Sequence, residues 1–178
     1  MHRKKASPIA RHLVSSELLR LRHIRRILDY GCGIGQDVAF YRDQGYEAIG
    51  FDPHRPFGFS QHPVGTFDLV TCLFVLNVIA TSEDRRAVCR QISNLVAPSG
   101  LLVVATRSPQ AISSEALAKN WLPFKDGYLS SPTRGTFQRG ISVKEIQDLI
   151  QGPVLELSDV SIPSSPDSCV AVFQKNPF

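Results

Sequence analysis

The chain has 178 residues, 43% hydrophobic and 20% charged, which is enough for one globular domain with its own core and too balanced for wholesale disorder. No apolar run reaches the ~20 residues needed to cross a bilayer, so no membrane partner is expected. The four cysteines (Cys32, Cys72, Cys89, Cys169) lack any C-x-x-C spacing, which points to reduced thiols in a cytoplasm rather than a disulfide framework or a metal site.

The formal net charge of +4 conceals an asymmetry. Residues 1–26 carry eight Lys and Arg against one acid, Glu17, so this segment is +7 and the remainder −3. The basic segment 1–24 is expected to be helical, with nucleic acid as its candidate partner; a merely solvated helix is the plainer alternative.

Ser7-Pro8 is a helix start, and Ala10, Leu13, Val14, Leu18 and Leu21 recur at helical spacing, predicting one helix through Leu21. Arg25 to Tyr30 reads as a strand, followed by Gly31, Gly33 and Gly35 and a helix from Gln36 to Gln44. Tyr46 to Phe51 is the second strand, ending at Asp52-Pro53. This order predicts an α/β fold with a parallel sheet and right-handed crossovers. His54 to Thr66, rich in Pro and Gly, predicts a loop where a helix and a strand could stand.

Phe67 to Cys72 is apolar enough for a central strand, and Phe74 to Ile79 continues into a turn or short helix. Thr81 caps a helix with Val88, Ile92, Leu95 and Val96 as its buried stripe, stopped by Pro98-Ser99-Gly100 before a strand from Leu101 to Thr106. Residues 107–140 mix turn residues with Trp121, Phe124, Tyr128 and Phe137 and read as an insertion beyond that strand. Ser142 opens a further helix, with Glu145 completing a capping box. Val154 to Val160 and Ser168 to Gln174 predict an antiparallel hairpin at the sheet edge.

Open α/β sheets bind ligands beyond the carboxyl ends of their strands. Dinucleotide binders space their glycines as G-x-G-x-x-G to seat a pyrophosphate. Here the third glycine comes one residue early, and Asp29 precedes the first, where a carboxylate suits a cationic ligand instead. Asp52, 23 residues after Asp29, can accept hydrogen bonds from both hydroxyls of a ribose; a turn-forming Asp before Pro is the alternative. His54 and His62 share one loop without a third ligand, so no metal is expected.

The stretches Leu28-Asp29-Tyr30-Gly31-Cys32-Gly33-Ile34-Gly35, Gly50-Phe51-Asp52-Pro53, Phe67-Asp68-Leu69-Val70 and Val75-Leu76-Asn77-Val78-Ile79 resemble the successive motifs of class I S-adenosylmethionine-dependent methyltransferases. The turn Pro98-Ser99-Gly100 into Leu101 is also similar. More narrowly, Val75 to Ile79 with Gly135-Thr136-Phe137-Gln138 resembles the methyltransferases associated with DNA phosphorothioation. The resemblance implies a Rossmann-like single domain, mostly parallel with a C-terminal antiparallel hairpin, shortened after the second strand. S-adenosylmethionine is the implied cofactor.

By position the resemblance implies cofactor contacts from Asp29, Gly31, Cys32, Gly33, Gly35, Asp52, Pro53, Cys72, Leu73 and Phe74. Asn77 stands where many relatives carry His or Glu, and it cannot take a proton. Arg107, Arg134 and Gln138 are further candidates at the mouth, with Arg139 able to receive an anion and Trp121 or Tyr128 able to stack. Pro53, Phe57 or Phe59 must hold the adenine if the shortened loop is to complete the pocket. No Asp/Asn-Pro-Pro-Tyr tetrapeptide follows the central strand, so methylation of a base amine is not implied. The acceptor is open, with nucleic acid or a component of a DNA-modification pathway in view; a non-catalytic cofactor-binding regulator is the alternative.

Overall fold

The computed structural model describes residues 5–152, 154–157, 160, 162 and 165–177. Six strands form the main sheet: β1 (Arg26–Tyr30), β2 (Glu47–Phe51), β3 (Phe67–Leu73), β4 (Val96–Arg107), β8 (Val154–Glu156) and β9 (Ser168–Lys175). Their order is β2-β1-β3-β4-β9-β8. The first four are parallel, and β9 runs antiparallel to both β4 and β8. Two sequence expectations therefore stand: the mostly parallel sheet, and the C-terminal hairpin with its second strand inserted next to β4. With 54–66 mostly loop around one 3-10 turn (Arg55–Phe57), β2 is left as the edge strand.

Consecutive residues on the central strands feed opposite cores, which is why these strands read as unbroken apolar runs. Leu28, Val70 and Val104 pack with Cys89 and Ile92 of α4 (Ser82–Leu95) and Ile146 of α6 (Val143–Leu149). Ile27, Leu69 and Val103 pack on the other side with Leu13 of α1 (Pro8–Ser15), Leu19 of α2 (Leu18–Leu21), and Val38 and Tyr41 of α3 (Gln36–Asp43). The result is a three-layer α/β/α unit.

The N-terminal segment is two helices rather than one. Helix α1 ends at Ser15, and Glu17 sits in the left-handed region at φ 60°, breaking the run before α2. Neither glycine nor proline marks that break. The Ser7 hydroxyl accepts from the Ala10 amide at 3.0 Å, and the Ser7 amide donates to Asp37 at 2.6 Å, which fastens α1 to α3. Of the basic residues counted in the sequence, Arg3 and Lys4 lie outside the described residues.

Thr81 and Ser142 cap α4 and α6 as expected, accepting from the amides of Asp84 and Glu145. The Glu145 carboxylate departs from a full capping box and receives Arg139 at 2.5 Å. The turn expected at Pro98-Ser99-Gly100 lies inside β4 as a register shift, since Phe67 pairs with Val96 but Leu69 with Leu101.

Residues 107–140 are more ordered than their sequence suggested. Helix α5 (Pro109–Ala118) is capped by the Ser108 hydroxyl, and β5 (Leu122–Phe124), β6 (Gly127–Ser131) and β7 (Thr136–Gln138) form a separate antiparallel sheet. Three-residue strands are too short to reveal a period of two.

Candidate functional site

The carboxyl ends of β1, β2 and β3 meet at the glycine loop. The amides of Gly31 and Cys32 both donate to Phe51 O, at 2.7 and 3.2 Å, so the loop folds over the end of β2. Gly31, Gly33 and Gly35 all have positive φ (78°, 56° and 77°), which L side chains adopt only at a cost. Their surroundings differ. A Cβ on Gly31 would overlap Val75, and one on Gly35 would overlap the Phe59 ring. One on Gly33 would meet nothing within 4 Å, so Gly33 is where the loop faces open space.

Asp52 answers that opening. Its Oδ2 accepts from the Gly33 amide at 3.0 Å and its Oδ1 from the His54 amide at 2.9 Å. Each oxygen keeps a lone pair for a hydroxyl donor. The Asp52 amide donates to Phe59 O at 2.9 Å, and the Phe59 ring lies against Gly35 and Gly50, so the shortened loop is anchored on the glycine loop itself. Phe57 stacks edge-on with His54 and stays half-buried, while Pro53 is exposed. His62 lies on Phe51, and no group of three metal-ligating side chains occurs among the described residues.

Asp29 is only 3% exposed, and its Oδ1 accepts from Thr71 Oγ1 at 2.8 Å. It is therefore tied to β3 at the base of the loop. Burial first, then the charges of Asp29 and Asp52, push the Cys32 thiol up to about 12. Cys72 is fully enclosed in the α4-side core, so its side chain faces no open space, and burial raises its thiol well above the ordinary value. Leu73 is buried on the opposite side of the sheet. Phe74 follows at φ 63°, held by its amide bond to Ala105 O at 2.7 Å. A bulky residue in the left-handed region is a local strain of the kind found at functional sites.

The turn after β3 (Leu76–Val78) packs against strand β7. Asn77 is 2% exposed; its Nδ2 donates to Gln138 Oε1 at 3.3 Å, and its backbone carbonyl accepts from the Arg139 amide at 2.8 Å. These two sequence candidates are thus brought together. Arg107 and Arg134 are not joined to them by any hydrogen bond or ion pair among the described residues. Arg107 pairs with Glu115 at 2.5 Å beside a cavity of about 440 Å³ that Gln110, Ser114 and Asp167 also line. Hydrogen bonds from Lys119 and then Arg107 hold the Glu115 carboxyl below its usual range. Arg134 is exposed on the turn before β7. Trp121 and Tyr128 face a separate cavity of about 240 Å³ with Ala116 and Leu117 of α5.

Arg139, expected to be open to an anion, is bound instead to Asp126 at 3.0 Å and to Glu145. Asp126 also receives Arg85, which is 2% exposed and donates to Ile79 O at 2.7 Å. This chain of charges ties the small sheet to α4 and α6. Sequence reading missed it, because an Arg on an amphipathic helix reads as solvent-facing; only its place three residues before the apolar stripe residue Val88 signals an inward direction.

A family profile described as "Methyltransferase domain" matches residues 2–141, and the chain belongs to that family. Among solved structures it is similar to the PH0226 protein from Pyrococcus horikoshii OT3 (TM-score 0.69, 14% identity, 93% of this chain and 89% of that one). A similar likeness joins it to an S-adenosylmethionine-dependent methyltransferase from Clostridium acetobutylicum ATCC 824 (TM-score 0.67, 13% identity, 95% and 91%). A third is the CcbJ methyltransferase from Streptomyces caelestis (TM-score 0.65, 14% identity, 96% and 91%). No curated protein is similar enough in sequence to match. The fold is that of the class I methyltransferases, and the protein is a methyltransferase.

Proposed function

We propose that the protein transfers a methyl group from S-adenosylmethionine to an acceptor bound between the glycine loop and strand β7. The Gly33–Asp52 hydrogen bond carries this reading, because it sets a ribose-binding carboxylate beside the one loop glycine with open space above it. Bound there, the cofactor supplies an electrophilic methyl on a sulfonium. Asp52 takes the ribose hydroxyls, the loop amides and the Asp29 charge suit the aminoacid end, and Phe59 with Pro53 replaces the missing strand on the adenine side. Residues 107–140 act as the acceptor-side insertion of a single domain. Much of the rate can come from alignment, which can lower a barrier by about 7–11 kcal/mol.

For the acceptor, nucleic acid or a component of a DNA-modification pathway is the reading the basic segment supports. Lys5, Arg11 and Arg25 are exposed and free of ion pairs among the described residues, whereas Arg20 is spent on Glu17 and Arg26 on Glu47. Phosphate contact must weaken as salt rises. Glutamine at positions 5, 11 and 25 should reduce both DNA or RNA binding and its salt slope, and unchanged binding would remove this face from the proposal. Deleting the segment is a poor test, since Ile9, Leu13 and Leu19 are core residues.

The activity itself is tested with cell extract and S-adenosylmethionine carrying a radiolabelled methyl, sorted into nucleic-acid, protein and small-molecule fractions. Enzyme-dependent label in one fraction, lost with Asp52→Ala, is expected; label that persists with Asp52→Ala contradicts the site.

A further inference from the structure

We infer that the cleft between the end of α5 and strand β6 takes one base of a single-stranded nucleic acid, seated between Trp121 and Tyr128. This rests on the nucleic-acid reading above. The observation behind it is an open cavity of about 240 Å³ lined by both rings together with Ser113, Ala116, Leu117 and Asn120. Pockets that enclose a drug-sized ligand run to roughly 300–1,000 Å³, so this one has room for a single ring system.

The two rings are held in place and apart. Helix α5 ends in a paired cap: the Asn120 amide donates to Leu117 O at 3.4 Å and the Trp121 amide to Ala116 O at 2.9 Å, with Asn120 at φ 51°. That cap fixes the direction in which the chain leaves the helix at Trp121. Tyr128 is set by its strand, paired with Pro123 on one side and Gln138 on the other. Directly paired residues share a sheet face, so Tyr128 stands on the face of Gln138, whose side chain meets Asn77 in the turn beside the glycine loop. Neither Trp121 nor Tyr128 is stacked on another ring among the described residues.

The chemistry selects a base. Two aromatic walls that do not stack on one another receive a flat ring by its faces, and every base offers a π-face. The polar edge of that ring falls to Asn120, whose carboxamide carries donor and acceptor side by side, and to the Ser113 hydroxyl. The Lys119 ammonium lies over the Trp121 ring at 5.9 Å. Lys119 and Arg107 share the Glu115 carboxylate, which neutralises only one of the two, and the charge left over suits the phosphate of a strand.

Trp121 is the only tryptophan of the chain, so its fluorescence reports the cleft directly. A single-stranded oligonucleotide of mixed sequence should quench it saturably at low salt. An abasic oligonucleotide of the same length, with phosphates but no bases, should not. Tyr128→Ala should weaken binding of the quenching strand about 5- to 100-fold, and Tyr128→Phe should keep the wild-type affinity. If Tyr128→Ala fails to fold, Leu117→Glu serves: Leu117 is 82% exposed at the cleft, and a carboxylate there should weaken binding by a similar factor. No quenching by the single strand, equal quenching by the abasic strand, or unchanged affinity in the folded variant overturns the inference. Quenching by adenosine with an affinity no weaker than the strand's assigns the cleft to a free nucleoside and overturns it too. A labelled strand that binds by anisotropy without quenching Trp121 fails the cleft alone, whereas a strand that does not bind at all fails the nucleic-acid reading beneath it.

Discussion

The Gly33 amide donates to the Asp52 carboxylate at 3.0 Å, linking the loop after β1 to the end of β2 before any ligand arrives. Asp52 therefore shapes the loop, and in the proposed function its remaining lone pairs receive the ribose hydroxyls. A hydrogen bond to a charged group contributes about 1.5–3 kcal/mol. Asp52→Ala should accordingly weaken S-adenosylhomocysteine binding by roughly 10- to 100-fold in calorimetry, and the loss of its bonds from the Gly33 and His54 amides should lower the melting temperature as well. Unchanged affinity would take Asp52 out of the site.

The glycines of the loop should separate by role. Gly31→Ala would overlap Val75 and sit at φ 78°, so it should cost about 2–4 kcal/mol of stability in urea unfolding. Gly33→Ala meets no neighbour and should cost about 1–2 kcal/mol, from φ alone. Its new methyl enters the ligand space, however, so its loss of cofactor affinity should exceed its loss of stability. Equal stability losses at the two positions would contradict this division.

The Arg85–Asp126–Arg139–Glu145 chain predicts that the small sheet can be loosened from a distance. Asp126→Asn leaves the buried Arg85 guanidinium short of a partner. Breaking a fully buried pair costs about 3–5 kcal/mol, and Asp126 is 42% exposed, so about 1–3 kcal/mol is expected. Limited proteolysis should then cut within 122–138 earlier than in the wild type; an unchanged cleavage pattern would show that the chain of charges does not hold the sheet.

Much of this was legible in the sequence, and the failures have physical causes. The β1–loop–α3–β2 unit was readable because each part is long enough to show its period and Gly45 ends α3. Asp52 and the glycines could be singled out as candidates because they lie at strand ends, where chemistry and position coincide. Helix α5 has the same Ser-Pro start as α1 but was hidden by a weakly segregated apolar face, and β5 to β7 are short strands. The break at Glu17 has no local signal. The Asn77–Gln138 pair spans 61 residues, so each was a candidate alone but their contact is a tertiary fact. The fate of Arg139 was likewise set by Asp126 and Glu145 rather than by its neighbours in sequence.

The thiols predict a pH response. Burial pushes Cys32 and Cys89 up to about 12, raises Cys72 well above its ordinary value, and raises the half-buried Cys169 too. In the unfolded chain they titrate near 8.5. The folded state thus keeps protons that the unfolded state releases, so this stability is complete below about pH 8.5 and is lost as pH rises towards 12. Tyr30, raised by burial to about 12, acts in the same direction at higher pH. The urea midpoint should fall between pH 8 and 10.5, and iodoacetamide at pH 8 should reach Cys169 first. A flat midpoint, or fast labelling of Cys72, would contradict the buried placement.

The central claim is that the loop after β1 and the carboxylate after β2 form an S-adenosylmethionine site rather than a dinucleotide site. Calorimetric titration of the wild-type protein with S-adenosylhomocysteine and, separately, with NAD tests it most directly. One equivalent of S-adenosylhomocysteine should bind and NAD should not. Binding of NAD without binding of S-adenosylhomocysteine would contradict the account.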